Sequence, residues 1–134
     1  MVTRNLMLIA AALGSGAIAL ANAPFATATF EKKVENVAKR IPVTSATMKD
    51  WVCFVIKDVS TPDGDHSYKL VVYDGSGAEV HQSINRITAV GGKWSHSSCV
   101  GYDEDRDVPG TWWYVAELDD QPLVSKELKV AAAG

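Results

Sequence analysis

Several patterns are scarce in this chain of 134 residues, and each scarcity excludes a class of protein. Lysine and arginine total 13 against 16 aspartates and glutamates, which gives a formal net charge of −3 and leaves no dense basic run. Because nucleic-acid binding requires a positive surface for the phosphates, a nucleic-acid partner is not expected. After residue 23, no apolar run approaches the about 20 residues that a transmembrane helix needs, so no further membrane span is expected.

Catalytic and metal-binding signatures are missing as well. The chain contains neither a G-x-S-x-G motif nor a recognisable Ser-His-Asp signature. Its three histidines, His66, His81 and His96, form no H-x-H or H-x-x-x-H pair. They would bind zinc or copper only if neighbouring strands brought them together, and we interpret them as ordinary surface histidines. We therefore assign no catalytic residue and expect no cofactor.

The first 28 residues have the pattern of a secretory signal peptide. Arg4 precedes an alanine-rich apolar run over residues 6–23, and small residues follow that run. This pattern predicts a signal-peptide helix within residues 1–28, a single mature domain over residues 29–134, and a secreted or periplasmic location. An uncleaved membrane anchor is the competing interpretation.

Two cleavage sites are favoured at the end of this segment, after Ala21 and after Ala28. A third small-x-small site ends at Ala23, but Pro24 would then follow the scissile bond. Proline lacks an N–H group and has a fixed φ, so it suits an extended protease cleft poorly. The choice between the two favoured sites stays open.

The two cysteines, Cys53 and Cys99, are separated by 46 positions. An even number of cysteines in an exported chain predicts one disulfide. The alternative is a pair of free buried thiols. A catalytic cysteine is disfavoured, because neither residue lies in a recognisable nucleophile motif.

Short segments rich in valine, isoleucine, threonine and aromatic residues fill the rest of the chain, and turn residues separate them. About seven such segments predict an all-β antiparallel sandwich. Residues 51–59 form the most apolar segment and are expected to be a central strand. Residues 30–40 fit either a helix or a strand, and we favour the strand. In the last hairpin, alternation places Trp112 and Tyr114 on one face and Trp113 and Val115 on the other.

Two stretches resemble hairpins of bacterial immunoglobulin-like domains. They are PGTW at residues 109–112 with its following hairpin, and HSYKLVVYDGSGAEV at residues 66–80. The resemblance implies an immunoglobulin-like β-sandwich and no particular activity. The Cys–Trp–Cys order of antibody domains is not reproduced, so a disulfide between the two sheets is not expected.

The aromatic residues are the main candidate binding residues. Four tryptophans are many for one small domain, and tryptophan and tyrosine are favoured at interfaces. Trp94, Tyr102 and Trp113 are the residues we assign to a binding surface. A weaker candidate is a calcium loop formed by Asp103, Glu104, Asp105 and Asp107, because calcium prefers several oxygen ligands; a solvated turn neutralised by Arg106 is the alternative.

Three functions follow in order of preference. The first is an exported, non-enzymatic module that binds a protein in the cell envelope or outside the cell. The second is a β-sandwich that binds a carbohydrate or a cation. The third is an enzyme of unknown type. An exposed apolar patch or an unpaired edge strand would favour the first, and a pocket with convergent titratable groups would favour the third.

Overall fold

The computed structural model describes residues 26–34 and 39–133, and these residues contain strands but no helix. The predicted signal-peptide helix lies outside the described residues. Within them, no segment has the helical length and hydropathy that crossing a membrane requires. The strands are β1 (Thr27–Lys33), β2 (Arg40–Val43), β3 (Ser45–Thr47), β4 (Val52–Ser60), β5 (Gly64–Tyr73), β6 (Glu79–Ala89), β7 (Lys93–Val100), β8 (Gly110–Leu118) and β9 (Gln121–Ala131).

The strands form two sheets that enclose one hydrophobic core. The first has the order β2-β1-β4-β7 and the second the order β3-β9-β8-β5-β6. Neighbouring strands are antiparallel except β3, which runs parallel to β9. The predicted all-β sandwich is therefore confirmed.

The described residues form nine strands, whereas the sequence predicts about seven. β2 and β3 are short, and only Thr44 separates them, yet they belong to different sheets. The chain thus crosses from one sheet to the other at this point. The longest strands, β6 and β9, have 11 residues each.

The predicted domain boundary at residue 29 falls inside β1. This strand starts at Thr27, and Ala28 is buried and pairs with Ile56 of β4. The carbonyl of Ala28 also accepts a 2.8 Å hydrogen bond from Lys126 Nζ. Cleavage after Ala28 would remove part of a packed strand, whereas cleavage after Ala21 leaves β1 whole.

The core connects the sheets through aromatic rings. Phe30 and Phe54 are directly opposite each other on β1 and β4. Their ring centroids lie 4.9 Å and 5.4 Å from that of Tyr114 on β8. β4 is the central strand that the sequence predicts, and all five residues from Val52 to Ile56 are buried. The strand interpretation of residues 30–33 is also confirmed.

The predicted disulfide joins Cys53 and Cys99, which are direct partners on the adjacent strands β4 and β7. It lies within one sheet, as the absence of the antibody-type cysteine pattern suggests. Arg40 lies close to it: its Nη1 donates a 2.6 Å hydrogen bond to Ser97, and its Nε forms a 3.2 Å ion pair with Glu31. The disulfide therefore fixes β7, an edge strand that pairs only with β4 in its sheet.

Removing the disulfide by the double substitution Cys53→Ser/Cys99→Ser is expected to destabilise the protein by up to about 4 kcal/mol. The closed loop spans 46 residues, and the chain-entropy model gives about this value for such a loop. Urea denaturation of both proteins measures the change, and the reduced wild type should match the double variant. A difference below about 1 kcal/mol would contradict the stabilising role.

Two adjacent tryptophans provide a second test of the fold. Trp112 is fully buried and donates a 2.8 Å hydrogen bond from Nε1 to the Val108 carbonyl, whereas Trp113 is 43% exposed on the other face of β8. Trp112→Ala is expected to cost about 3–5 kcal/mol, the usual cost of truncating a buried aromatic residue. Trp113→Ala should cost less than about 1 kcal/mol, as surface substitutions do. Equal losses in thermal or urea denaturation would contradict the observed orientation of β8.

Candidate functional site

The outer face of the five-stranded sheet, which points away from the other sheet, carries the most exposed aromatic residue of this sheet. Along β8 it presents Thr111, Trp113, Val115 and Glu117, because alternate side chains of a strand point to opposite faces. The intervening residues of β8 fill the core, as the sequence predicts. Trp113 is 43% exposed, so its ring is available to a partner.

Four residues form a line across this face, which we name the aromatic row: Glu127 of β9, Trp113 of β8, Tyr73 of β5 and Glu79 of β6. Each is the direct partner of the next in the strand register. Neighbouring strands lie about 4.8 Å apart, so two aromatic residues are adjacent and a glutamate stands at each end. The Glu127 carboxylate forms a 3.4 Å ion pair with the exposed Lys129.

Aliphatic side chains continue the outer face beyond the aromatic row. Val115 lies opposite Val71, one step along the strands from Trp113 and Tyr73. Ile84 of β6 is 62% exposed and pairs with Lys69 of β5. The aromatic row thus borders apolar side chains, but the polar Gln82 and Lys69 separate these from Ile84 on the edge strand.

A buried carboxylate fixes the end of β5 next to the start of β8. Asp74 follows Tyr73 directly and is only 3% exposed. Its carboxylate accepts hydrogen bonds of 2.6–3.1 Å from Ser76, Ala78 and Val108. Burial alone would raise the pKa of Asp74, but these hydrogen bonds outweigh it and lower the pKa. The ionised side chain therefore ties the β5–β6 turn to the segment before β8.

Gly75 allows the same two segments to touch. Its N–H donates a 2.9 Å hydrogen bond to the Val108 carbonyl. A Cβ atom at this position would lie 1.9 Å from the Pro109 carbonyl oxygen, closer than any side chain permits. The position therefore requires glycine, and the contact helps to hold Tyr73 beside Trp113.

The acidic loop uses its carboxylates to hold its own backbone. Asp107 is 7% exposed; it accepts a 2.9 Å hydrogen bond from the Asp103 N–H and a 3.0 Å hydrogen bond from Arg106 Nε. Asp103 in turn accepts a 3.0 Å hydrogen bond from the Asp105 N–H. Over the residues that the structure describes, no group of three or more possible metal ligands occurs. The geometry does not support the suggested calcium loop of Asp103, Glu104, Asp105 and Asp107, and it agrees with the alternative of a neutralised turn.

Two of the three predicted binding residues are not on this surface. Trp94 is 5% exposed, and its Nε1 donates a 2.8 Å hydrogen bond to the buried Thr61, so its ring is a core residue and the prediction is corrected. Tyr102 is half-buried: its ring lies 4.6 Å from that of Trp112, and its hydroxyl is hydrogen-bonded to that of Tyr114. Burial raises the pKa of Tyr102 and contributes most to that shift. Of these three residues, Trp113 is the most exposed.

Sequence analysis did not identify Tyr73 and Glu79 as partners of Trp113. Alternation along residues 66–73 places Tyr73 on the other face of the strand from the buried Tyr68, Leu70 and Val72. This pattern could have indicated that Tyr73 lies on the outer face. It does not show which strand lies beside β5. Glu79 precedes a β-bulge in the β5–β6 register, and the bulge changes the expected alternation.

His66 lies at the opposite end of β5 and holds a turn. Its Nδ1 is 2.6 Å from an Asp119 carboxylate oxygen, and its Nε2 is 2.7 Å from the Pro62 carbonyl oxygen. Both ring nitrogens face acceptors, so the protonated form is favoured. The hydrogen bond to Asp119 is the main cause that raises the pKa of His66. By contrast, burial lowers the pKa of His96.

Comparison with known proteins identifies the fold. No protein-family model matches the chain, and no curated protein is similar to it in sequence. An immunoglobulin-like protein from Pseudomonas aeruginosa has a similar structure, with a TM-score of 0.51 and 16% sequence identity. The match covers 78% of this chain and 91% of that protein. The chain therefore has an immunoglobulin-like β-sandwich fold, as the resemblance of its hairpins implies.

The hydrogen bonds of His66 to Asp119 and Pro62 predict that the stability of the fold depends on pH. Because the pKa of His66 is raised above 6.5 in the folded state, its contribution is complete below about pH 6.5 and is lost as the pH rises through the raised value. Asp119→Asn should lower the pKa of His66, measured by NMR titration, and should flatten stability between about pH 6 and 8. Asp120→Asn, the adjacent residue, which also has positive φ, is the control. A wild-type pKa at or below 6.5 would contradict this assignment.

Proposed function

We propose that this protein is an exported, non-enzymatic module that binds another protein through the outer face of its five-stranded sheet. The observation that supports this most is Trp113, which is 43% exposed beside Tyr73 and next to aliphatic side chains. Large exposed aromatic residues supply much of the binding energy of protein interfaces. An exposed apolar surface with a polar rim is typical of interaction sites.

The edge strand β6 of this sheet is a second argument for a protein partner. β6 has 11 residues and pairs only with β5 in the five-stranded sheet. Its other side presents backbone N–H and C=O groups to which an extended segment of a partner could add. The edge also exposes Ile84, so a strand placed there would find backbone hydrogen bonds and an apolar contact together.

An open groove beside β3 and β9 does not favour an enzyme. Its titratable side chains are Lys32, Asp50 and Lys129. Lys32 forms a 3.7 Å ion pair with Asp50, and the Asp50 carboxylate also accepts a 2.8 Å hydrogen bond from the Thr47 N–H. Lys129 donates to Thr111. These groups stabilise one another and do not form a nucleophile with a nearby base.

Export is supported by the signal-peptide pattern and by the disulfide. Structural disulfides persist in oxidising compartments and are rare in the cytosol. The bond between Cys53 and Cys99 thus fits a secreted or periplasmic protein. An earlier cleavage site, after Ala21, would leave every described strand in the mature chain.

A carbohydrate-binding module is the second candidate function. The adjacent rings of Trp113 and Tyr73, with polar groups beside them, are the feature that favours it. A glycan would stack on the rings and would need no contribution from the β6 edge. The two functions therefore differ in whether a polypeptide is bound at this face.

Site-specific photo-crosslinking tests the proposed function. A benzoylphenylalanine placed at position 113 is expected to give a protein adduct in the envelope or secreted fraction of the producing cells. The control is the same residue at position 29, since Thr29 is exposed on the other sheet. Protein adducts no stronger at position 113 than at position 29 would contradict the proposal. A thermal shift with an oligosaccharide but not with any cross-linked protein would favour the carbohydrate-binding module.

A further inference from the structure

We infer that the aromatic row is a receptor for a cationic side chain, an arginine on the protein partner. This inference rests on the proposed function, because it names the chemistry by which the partner is recognised. It requires an exposed ring face, negative charge around the ring, and room for the aliphatic stem of the arginine. The outer face of the five-stranded sheet provides all three.

The ring of Trp113 is open to a cation. Guanidinium and ammonium groups are attracted to the face of an aromatic ring, and tryptophan attracts them most strongly. The protein contains such a pair of its own, because Lys33 Nζ lies 5.0 Å from the ring centroid of Trp51. Among the described residues, no lysine or arginine lies over Trp113, although this ring is also exposed. Trp51 is thus partnered within the chain, and Trp113 can take its cation from outside.

The charges around the row favour a cation. Glu127 and Glu79 stand at its two ends, about 14 Å apart across three strand spacings. Lys129, the cation beside Glu127, is already paired with Glu127 and Thr111. Beyond Val71 and Val115 on the same face, Lys69 and Glu117 are direct partners, and their opposite charges cancel. Because the charges of Glu127 and Lys129 cancel, the net negative charge at the aromatic row is that of Glu79.

The surroundings of the row extend this negative charge. The turn after Tyr73 is tied to the segment before β8, so the acidic loop over residues 103–107 lies at this end of the sandwich. Arg106 is the only cation of that loop, against four acids, and it is paired with Asp107. The summed field of such charges raises the association rate of a positive partner.

The next residues along the strands offer room for the stem of an arginine. Val115 is half-buried beside Trp113, and Val71, which is 7% exposed, lies beside Tyr73. The exposed polar residues Ser125 and Gln82 flank this pair on β9 and β6. The methylene stem of an arginine can contact Val115 while its head stays at the rings and carboxylates.

The test uses NMR of the indole N–H signals of the whole protein at low ionic strength. The signal of Trp113 among the four tryptophans is assigned with Trp113→Phe. The probe is acetyl-Gly-Arg-Gly-Arg-Gly-amide, and its control is the same peptide with neutral citrulline in place of arginine. We expect a saturable shift of the Trp113 signal, with binding at least about fivefold tighter for the arginine peptide.

Two variants test the role of the carboxylates. Glu79→Gln/Glu127→Gln should weaken binding of the arginine peptide about fivefold, by the usual magnitude of two exposed charge pairs. Glu117→Gln is the matched control, because Glu117 is on the same face but outside the row, and it should bind the peptide as the wild type does. Both variants change exposed or half-exposed glutamates, so their thermal unfolding should match that of the wild type.

Three results would overturn the inference: equal binding of the citrulline peptide, binding unaffected by loss of both row carboxylates, or no shift at Trp113. If cellohexaose shifts the Trp113 signal and the arginine peptide does not, the face binds glycans. A protein adduct at position 113 together with a failed arginine probe would leave the proposed function standing and reject this anchor chemistry. Arginine binding without any protein adduct would reject the proposed function instead.

Discussion

The contact between the two sheets through Phe30, Phe54 and Tyr114 constrains the rest of the structure. Each buried aromatic side chain stabilises the folded state by about 1.5–3 kcal/mol, and these rings meet only when β1, β4 and β8 keep their present registers. A slip of one residue in β8 would move Tyr114 to solvent and turn Trp113 into the core. The exposure of Trp113 is therefore a direct consequence of the packing that holds the sandwich together.

The position of Tyr73 beside Trp113 depends on a second constraint, the contact of the β5–β6 turn with the segment before β8. The buried Asp74 carboxylate satisfies backbone N–H groups of both segments, and Gly75 lets their backbones approach. Buried charges are tolerated when hydrogen bonds compensate them. The aromatic row thus rests on strands and a fixed turn, which gives a binding site the rigidity that a loop would lack.

Much of this architecture could be predicted from local patterns, and the remainder depends on pairing between distant segments. Alternation predicts the two faces of β8, and the apolar run of residues 52–56 predicts a central strand. Cysteine count predicts the disulfide. Alternation does not show which face is inward on an edge strand, so the sequence predicts a surface position for Trp94, which lies in the core. Strands as short as β2 and β3 give too few residues for any periodicity, and the row itself needs the order β9-β8-β5-β6.

Glu79 and Glu127 have two physical consequences at the aromatic row. An exposed tryptophan near an open edge strand invites association between copies of the chain, a hazard that proteins usually reduce with charge. At a net charge of −3, two copies repel each other, and Glu79 and Glu127 place part of that charge where the rings are exposed. A negative partner is disfavoured for the same reason, whereas a positive one is attracted. The charge that keeps copies apart therefore also agrees with the cationic partner proposed above, since a cationic group gains from both the rings and the carboxylates.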